Sequence, residues 1–523
     1  MHARVTLCSA TLGEDGKKEP PLGPLYIAAA LEAVGVEVDF RDYQLDPRAD
    51  HFSPETLAEF LEGHAPVVAF SCFVDMLPVV VEAARLLRLE APETHFILGG
   101  PGPSGSAERV LELYPWIDGV VRGEGEEAIQ EWALAHDGGR PIAGMTLRRH
   151  GAIVFGLPRP RVADLEAVPR PAHHLADWTT YSYARAITTR GCAYRCSFCD
   201  VTALWGNRSV YRAIDAVIDE LIELRDRYGK RAVTIADDTF VQDRGRVRAF
   251  CDRLVERRAG LSWSCFGRIN LMTPALLDRM AEAGCASIFY GIDSGSPAVL
   301  ARTHKMVRAE SVAPVVRHSA QVLDHVEASF IWGYPFEELD DFKQTLDLAA
   351  EVSAFSPRVG VQLHMLCPLP NSPIYREFQG DLQEPEPEDR PWLLLPAVLL
   401  DPRAERIGRL VRAAPDVYPG FFTLPTPDKP RKRELLGRVL SSLNRTIGRS
   451  LIEPRVGRLL DAEAPDVERE LLAAEADAPD RIGAGLALGF FRRGRRRRGT
   501  GYNPFEGTRR PGLVRHAIPA RAV

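Results

Sequence analysis

Two long stretches of this chain repeat one pattern, a short apolar run followed by a helical period. That alternation limits the fold more than any other feature. From residue 4 the runs are "RVTLCSA", "VEVDFRDY", "VVAFSCF", "HFILGG" and "DGVVRGEG", which read as buried strands. Between the first two, "PLYIAAALEAVG" starts near Pro24, keeps apolar residues at helical spacing and stops at Gly35. Five strands alternating with helices predict a doubly wound parallel α/β unit over residues 1–160. Ligands on such sheets sit at the carboxyl ends of the strands. Ser71, Cys72, Gly99, Gly100, Gly102, Gly123, Glu124 and Gly125 fall there.

A Pro-rich link, 161–180, separates this series from a second over 181–380. Its strands are "ARAITTR", "AVTIADD", "SWSCFGRI", "ASIFYGIDSG", "EASFIWG" and "RVGVQLHML". In the first long helix, Ile214, Val217, Ile218, Leu221 and Ile222 form one stripe and Gly229 caps it. Six βα units predict an open or partial barrel with function at the strand carboxyl ends. "LQEPEPEDRP" then reads as a linker, 392–490 as a mostly helical region, and the Arg-rich 491–523 as a tail without fixed structure.

Bulk properties narrow the class. At 523 residues the chain is too long for one core. No apolar run reaches membrane-spanning length and the first residues lack signal-peptide architecture. Nine scattered cysteines, an odd number, point to a reducing, cytoplasmic setting. A net charge of -6 argues against a general nucleic-acid binder.

The sharpest local signal is "TTRGCAYRCSFCD", with Cys192, Cys196 and Cys199 in one loop at the end of the first barrel strand. Structural zinc wants four ligands and disulfides want even counts. Three thiolates suit a cubane cluster whose fourth iron takes an outside ligand. This Cys-x3-Cys-x2-Cys loop, with Phe198 before the last thiol, resembles the radical S-adenosylmethionine (SAM) signature. The resemblance implies a 4Fe-4S cluster held by the three cysteines, with SAM on the open iron and cleaved to a 5'-deoxyadenosyl radical. It extends to about residue 380. "ADDTF" resembles the segment that binds the SAM amino group, with Asp237 and Asp238 as candidates; helix capping is the alternative for each. Arg268 in "FGRIN" is a candidate fork for the SAM carboxylate. Asp293 and Ser294 in "GIDSGS" are candidates for the ribose hydroxyls, and Gly333 in "FIWGYPFEE" for the adenine side. Cys251, Cys265, Cys285 and Cys367 read as core residues.

"GGPGPSG" formally matches the dinucleotide fingerprint, but it follows the fourth strand rather than the first, and its prolines remove donors a pyrophosphate would want. The whole first unit instead resembles the flavodoxin-like cobalamin-binding domain that precedes many radical SAM domains. The resemblance implies a corrinoid over the strand ends, against Ser71, Cys72, Gly99, Gly100, Gly102, Gly123, Glu124 and Gly125. The Asp-x-His-x-x-Gly motif of cobalamin-dependent mutases is absent, and His64 and His95 read as surface residues. Base-off cobalamin with no protein histidine on cobalt is the expectation.

The resemblance implies a cobalamin-dependent radical SAM enzyme, with C-methylation of an unactivated carbon as the leading activity. Cyclisation or rearrangement is the alternative. A methylthiotransferase is disfavoured because the first unit has only Cys8 and Cys72 for a second cluster. A non-catalytic sensor is disfavoured by the intact triad. The partners implied are a small-molecule or peptide substrate, as in natural-product biosynthesis, and an electron donor such as flavodoxin or ferredoxin. The run Arg492–Arg498 reads as a solvated tail, with an anionic partner as the sharper alternative.

Overall fold

Both series of alternating runs form parallel sheets. A computed structural model describes residues 4–12, 18–135 and 140–445; the Arg-rich segment and residues 446–490 of the expected helical region lie outside them. The first sheet contains β1 (Arg4–Ala10), β2 (Glu37–Asp42), β3 (Val67–Cys72), β4 (His95–Gly99) and β5 (Gly119–Val121). They are parallel in the order β2-β1-β3-β4-β5, so the five expected strands form the expected doubly wound unit. Two further strands, β6 (Met145–Arg149) and β7 (Ala152–Phe155), extend it as an antiparallel hairpin. Sequence reading missed this hairpin. Its signal is the two-residue turn His150-Gly151, both with positive φ, the geometry that tight hairpins require.

The second sheet is built from β8 (Ala184–Ala186), β11 (Ala232–Ile235), β12 (Ser262–Gly267), β13 (Cys285–Asp293), β14 (His325–Trp332) and β15 (Val359–Met365). They lie side by side in chain order, all parallel, as six βα units of a partial barrel require. A small antiparallel pair, β9 (Thr189–Arg190) with β10 (Val210–Tyr211), closes the neck of the cysteine loop.

Alternation along each strand divides the cores. In β3, Val67 and Ala69 face one helical layer while Val68, Phe70 and Cys72 face the other. The layer on the Cys72 side is completed by Val398, Leu399, Ile407, Val411, Tyr418 and Phe421 from the C-terminal region. Farther on, Leu435 and Leu436 enter the barrel core, and the Trp392 ring meets Trp332 edge-on at 6.1 Å. The described part of the C-terminal region therefore has no core of its own. It is a strap that seals both α/β units, and only Glu405–Ala413 and Lys429–Arg445 within it are α-helical.

Candidate functional site

The carboxyl ends of the two sheets face each other across one cavity of about 350 Å3. The first unit contributes Ser71, Gly99, Gly100, Gly123, Glu124 and Gly125, six of the eight residues the sequence singles out there. The barrel contributes Arg185, Ile187, Thr189, Ala236 and Asp238, and the segment after the third cysteine contributes Leu204 and Trp205. Cys72 and Gly102 do not line it. Cys72 points from β3 into the opposite core, because its neighbour Ser71 takes the cavity face. Gly102 packs its backbone against Phe73, whose carbonyl would stand 2.6 Å from any Cβ there. Gly100 has φ +91, and a Cβ would lie 2.6 Å from the Cys72 carbonyl, so this turn tolerates no side chain. No histidine is among the lining residues. His64 Nδ1 is bonded to the Ala65 carbonyl at 2.7 Å and the His95 side chain is half exposed, so neither approaches this space.

The three cysteines sit beside the cavity at the top of the barrel. Cys192 Sγ is 3.4 Å from Thr239 Oγ1, and Cys196 Sγ is 4.0 Å from the His304 carbonyl. Burial pushes the Cys199 thiol up to about 12, and the neighbouring Cys196 and Cys192 add to the effect. Among the described residues no group of three His, Cys, Asp or Glu side chains converges tightly enough for a single metal ion. A cubane spreads its ligands over separate irons, so three thiols spaced around one loop suit a cluster better than a single zinc, which wants four converging ligands.

The SAM candidates divide into two kinds. Asp237 is buried, and its carboxylate accepts from the Thr188 and Thr189 amides at 2.6 and 3.1 Å and from both hydroxyls. Its acceptor capacity is spent on tying β11 to the neck of the cysteine loop. Asp238 is the acid that opens on the cavity. It accepts from the Gly191 amide at 3.0 Å, and the surrounding protein raises its pKa by desolvation. Arg268 is buried against the loop: Nη1 donates to Cys196 Sγ at 3.5 Å, Nη2 donates to the Lys305 carbonyl, and the guanidinium lies 3.7 Å from the Tyr194 ring centroid. Asp293 has φ +72 and pairs with the buried Lys305 ammonium. Ser294 is buried with its hydroxyl on Thr345 Oγ1 at 2.9 Å, a core contact rather than a free ligand. Phe198 meets Tyr334 edge-on at 6.2 Å. The Gly333 amide donates to the fully buried Glu337 at 2.9 Å.

Glu124, a corrinoid candidate that lines the cavity, is also an ion-pair partner of Arg190 at 3.1 Å across the seam. Sequence reasoning missed Arg190, Lys305, Leu204 and Trp205. Arg190 carried a usable signal, standing two residues before the first cysteine; "RTHKMV" around Lys305 carried none. Cys251, Cys265 and Cys285 are buried core residues, and Cys367 lies 3.5 Å from the Gly420 carbonyl under the strap.

Comparisons with known proteins agree with this arrangement. A B12-binding domain model matches residues 9–133, and a radical SAM superfamily model matches residues 186–349. An uncharacterized methyltransferase of Pyrococcus horikoshii is 26% identical over 347 residues, covering 64% of this chain and 74% of the relative. Anaerobic magnesium-protoporphyrin IX monomethyl ester cyclase of Cereibacter sphaeroides is 25% identical over 462 residues, covering 83% and 73%. The fold is shared with the radical SAM methyltransferase TsrM from Kitasatospora setae, solved with cobalamin and a [4Fe-4S] cluster, at a TM-score of 0.62 and 19% identity over 91% of this chain and 100% of that one. A B12-binding domain and a radical SAM domain thus share one cavity in this chain, the domain pair of the cobalamin-dependent radical SAM enzymes.

Proposed function

We propose that this protein is a cobalamin-dependent radical SAM C-methyltransferase that modifies an unactivated carbon of a peptide or other natural-product substrate in a reducing, cytoplasmic setting. One observation carries the reading: glycine-rich strand ends of the first sheet and the thiol-flanked strand ends of the second line a single cavity. When bound, the cluster with SAM supplies a hydrogen-abstracting radical and the corrinoid supplies a methyl group; such cofactors carry the chemistry while the protein orients them and excludes water.

The roles assigned to this chain are therefore binding and positioning. Cys192, Cys196 and Cys199 hold the cluster. Asp238 accepts from the SAM amino group, and Arg268 serves the SAM carboxylate from its seat on the loop. Ser71, Gly99, Gly100, Gly123 and Gly125 let a large planar ligand approach the backbone. No histidine lines this cavity; base-off cobalamin without a protein histidine on cobalt is the binding mode proposed here. An external one-electron donor such as flavodoxin or ferredoxin would supply the electron that the bound cluster needs.

Anaerobic reconstitution with iron, sulfide and hydroxocobalamin tests the reading. Bound iron, sulfide and corrinoid, with 5'-deoxyadenosine released from SAM under reductant, are expected. Replacing any one of the three cysteines by alanine abolishes that release; a variant that retains it sinks the mechanism. The extended similarity to a cyclase keeps ring closure as a second reading. Methyl-labelled SAM separates the two: label retained in the protein-bound corrinoid fraction supports methyl transfer, and 5'-deoxyadenosine without such label supports cyclisation.

A further inference from the structure

The link between the two units is more than a tether, because one of its side chains grips both. Arg161 Nη1 donates to the carbonyls of Trp205, at 2.7 Å, and Arg208, while Nη2 donates to the Arg190 carbonyl at 3.2 Å. These carbonyls bracket the cysteine loop, one before Cys192 and two after Cys199. The guanidinium also lies 5.2 Å from the Trp205 ring centroid, and Nε stands 3.6 Å from Glu124 Oε2. Glu124 accepts from the Val162 amide at 2.9 Å and from Arg190 Nη1 at 3.1 Å, and Arg190 Nη2 reaches Glu126 at 2.6 Å. Gly191, with φ +96, lets the neck close: a Cβ there would stand 2.5 Å from the Arg208 carbonyl.

Two arginines and two glutamates from the link, the cavity turn and the strand before Cys192 thus form one charge-balanced knot. The Arg190, Glu124 and Glu126 side chains are only 6–8% exposed. The segment this knot clamps also builds the cavity, through Leu204 and Trp205.

We propose that Arg161 and Arg190 are positioning residues that make corrinoid binding and filling of the cysteine triad cooperative. This rests on the cofactor assignment in the proposed function. Without metal, residues 191–209 are held firmly at their neck, and at their thiols only by the long sulfur contacts of Cys192 with Thr239 and of Cys196 with Arg268 and the His304 carbonyl; metal binding supplies further ordering free energy. A corrinoid that leans on Leu204 and Trp205 binds better once that ordering is in place, and linkage makes the effect reciprocal.

The test is an absorbance titration of the full chain with hydroxocobalamin, with and without prior iron-sulfide reconstitution. Wild type binds at least about fivefold more tightly when reconstituted, the lower edge of common coupling strengths. In Arg161→Gln and Glu124→Gln the ratio falls to about one; in Arg161→Gln, whose side chain does not line the cavity, binding to cluster-free protein also stays within about twofold of wild type. Arg161→Lys does not restore the coupling, because an ammonium cannot span both ends of the loop as the planar fork does. Glu124→Gln, nearly isosteric, carries the test if an Arg161 variant fails to fold. An unchanged ratio in the variants, or a ratio of one in wild type, overturns the inference and leaves the family reading intact. A wild type that binds no hydroxocobalamin overturns the corrinoid assignment itself.

Discussion

At the scale of single residues, adjacent side chains of the same type do different work here. Asp237 and Asp238 are neighbours in "ADDTF", yet one is a clamp and the other faces the cavity. Asp237→Ala strands two buried amides, each worth roughly 1–3 kcal/mol when left unpaired. A clear drop in melting temperature is expected. Asp238→Asn removes no core contact, so the melting temperature stays put while SAM affinity falls. If the two phenotypes came out reversed, the assignment of the cavity acid would be wrong. Arg268 touches a candidate cluster thiol directly, so Arg268→Ala weakens SAM binding and also shifts the paramagnetic resonance signal of the reduced cluster. An unchanged signal would confine its role to SAM.

At the scale of elements, the C-terminal helix Lys429–Arg445 reaches deep into the barrel. The Lys432 ammonium is fully buried; it stands 3.1 Å from Glu337 Oε2 and donates to Thr426 Oγ1 at 2.8 Å. Glu337 in turn holds the Gly333 amide at the end of β14. Lys432→Met leaves an uncompensated buried carboxylate, and breaking such a pair costs roughly 3–5 kcal/mol. Lys432→Met combined with Glu337→Gln removes the charge as well and recovers part of that loss. Denaturant unfolding of the single and double variants measures both, and an equal loss in the two would deny the pair its role. The strap element is equally exacting: removing the Trp392 ring leaves a cavity against Trp332, for which roughly 3–5 kcal/mol is usual.

At the scale of the whole molecule, the seam between the two units decides whether the cavity exists. Gly105 of the first unit lies against Asn371 of the loop after β15, and a Cβ would come within 2.3 Å of that amide; Asn371 also donates its backbone amide to Asp200 beside the third cysteine, at 3.1 Å. Gly105→Val is therefore expected to displace the Asn371 side chain and loosen this seam, lowering corrinoid retention while leaving the circular dichroism spectrum unchanged. Retention at wild-type level would show that the seam yields elsewhere. The eleven strands expected in the two series were legible because most are short local runs rich in apolar residues set between helical stretches, even where, as in β2 (EVDFRD), charged residues interrupt the run and only Asp42 is buried. The thiol loop was legible for a similar reason, since its three cysteines lie within eight residues. The hairpin β6–β7 was legible in principle from His150-Gly151, but its strands are short and lack a strong apolar pattern. What the sequence by itself determined about this protein is the identity of the two α/β units and the three-cysteine loop that is the candidate cluster site. Only the tertiary structure decided that Glu124 clasps Arg190, that Asp237 is a clamp, that Cys72 turns away from the cavity, and that the C-terminal region is a strap. These depend on which face a strand presents and which distant charge meets it across a seam, and neither is encoded in local spacing.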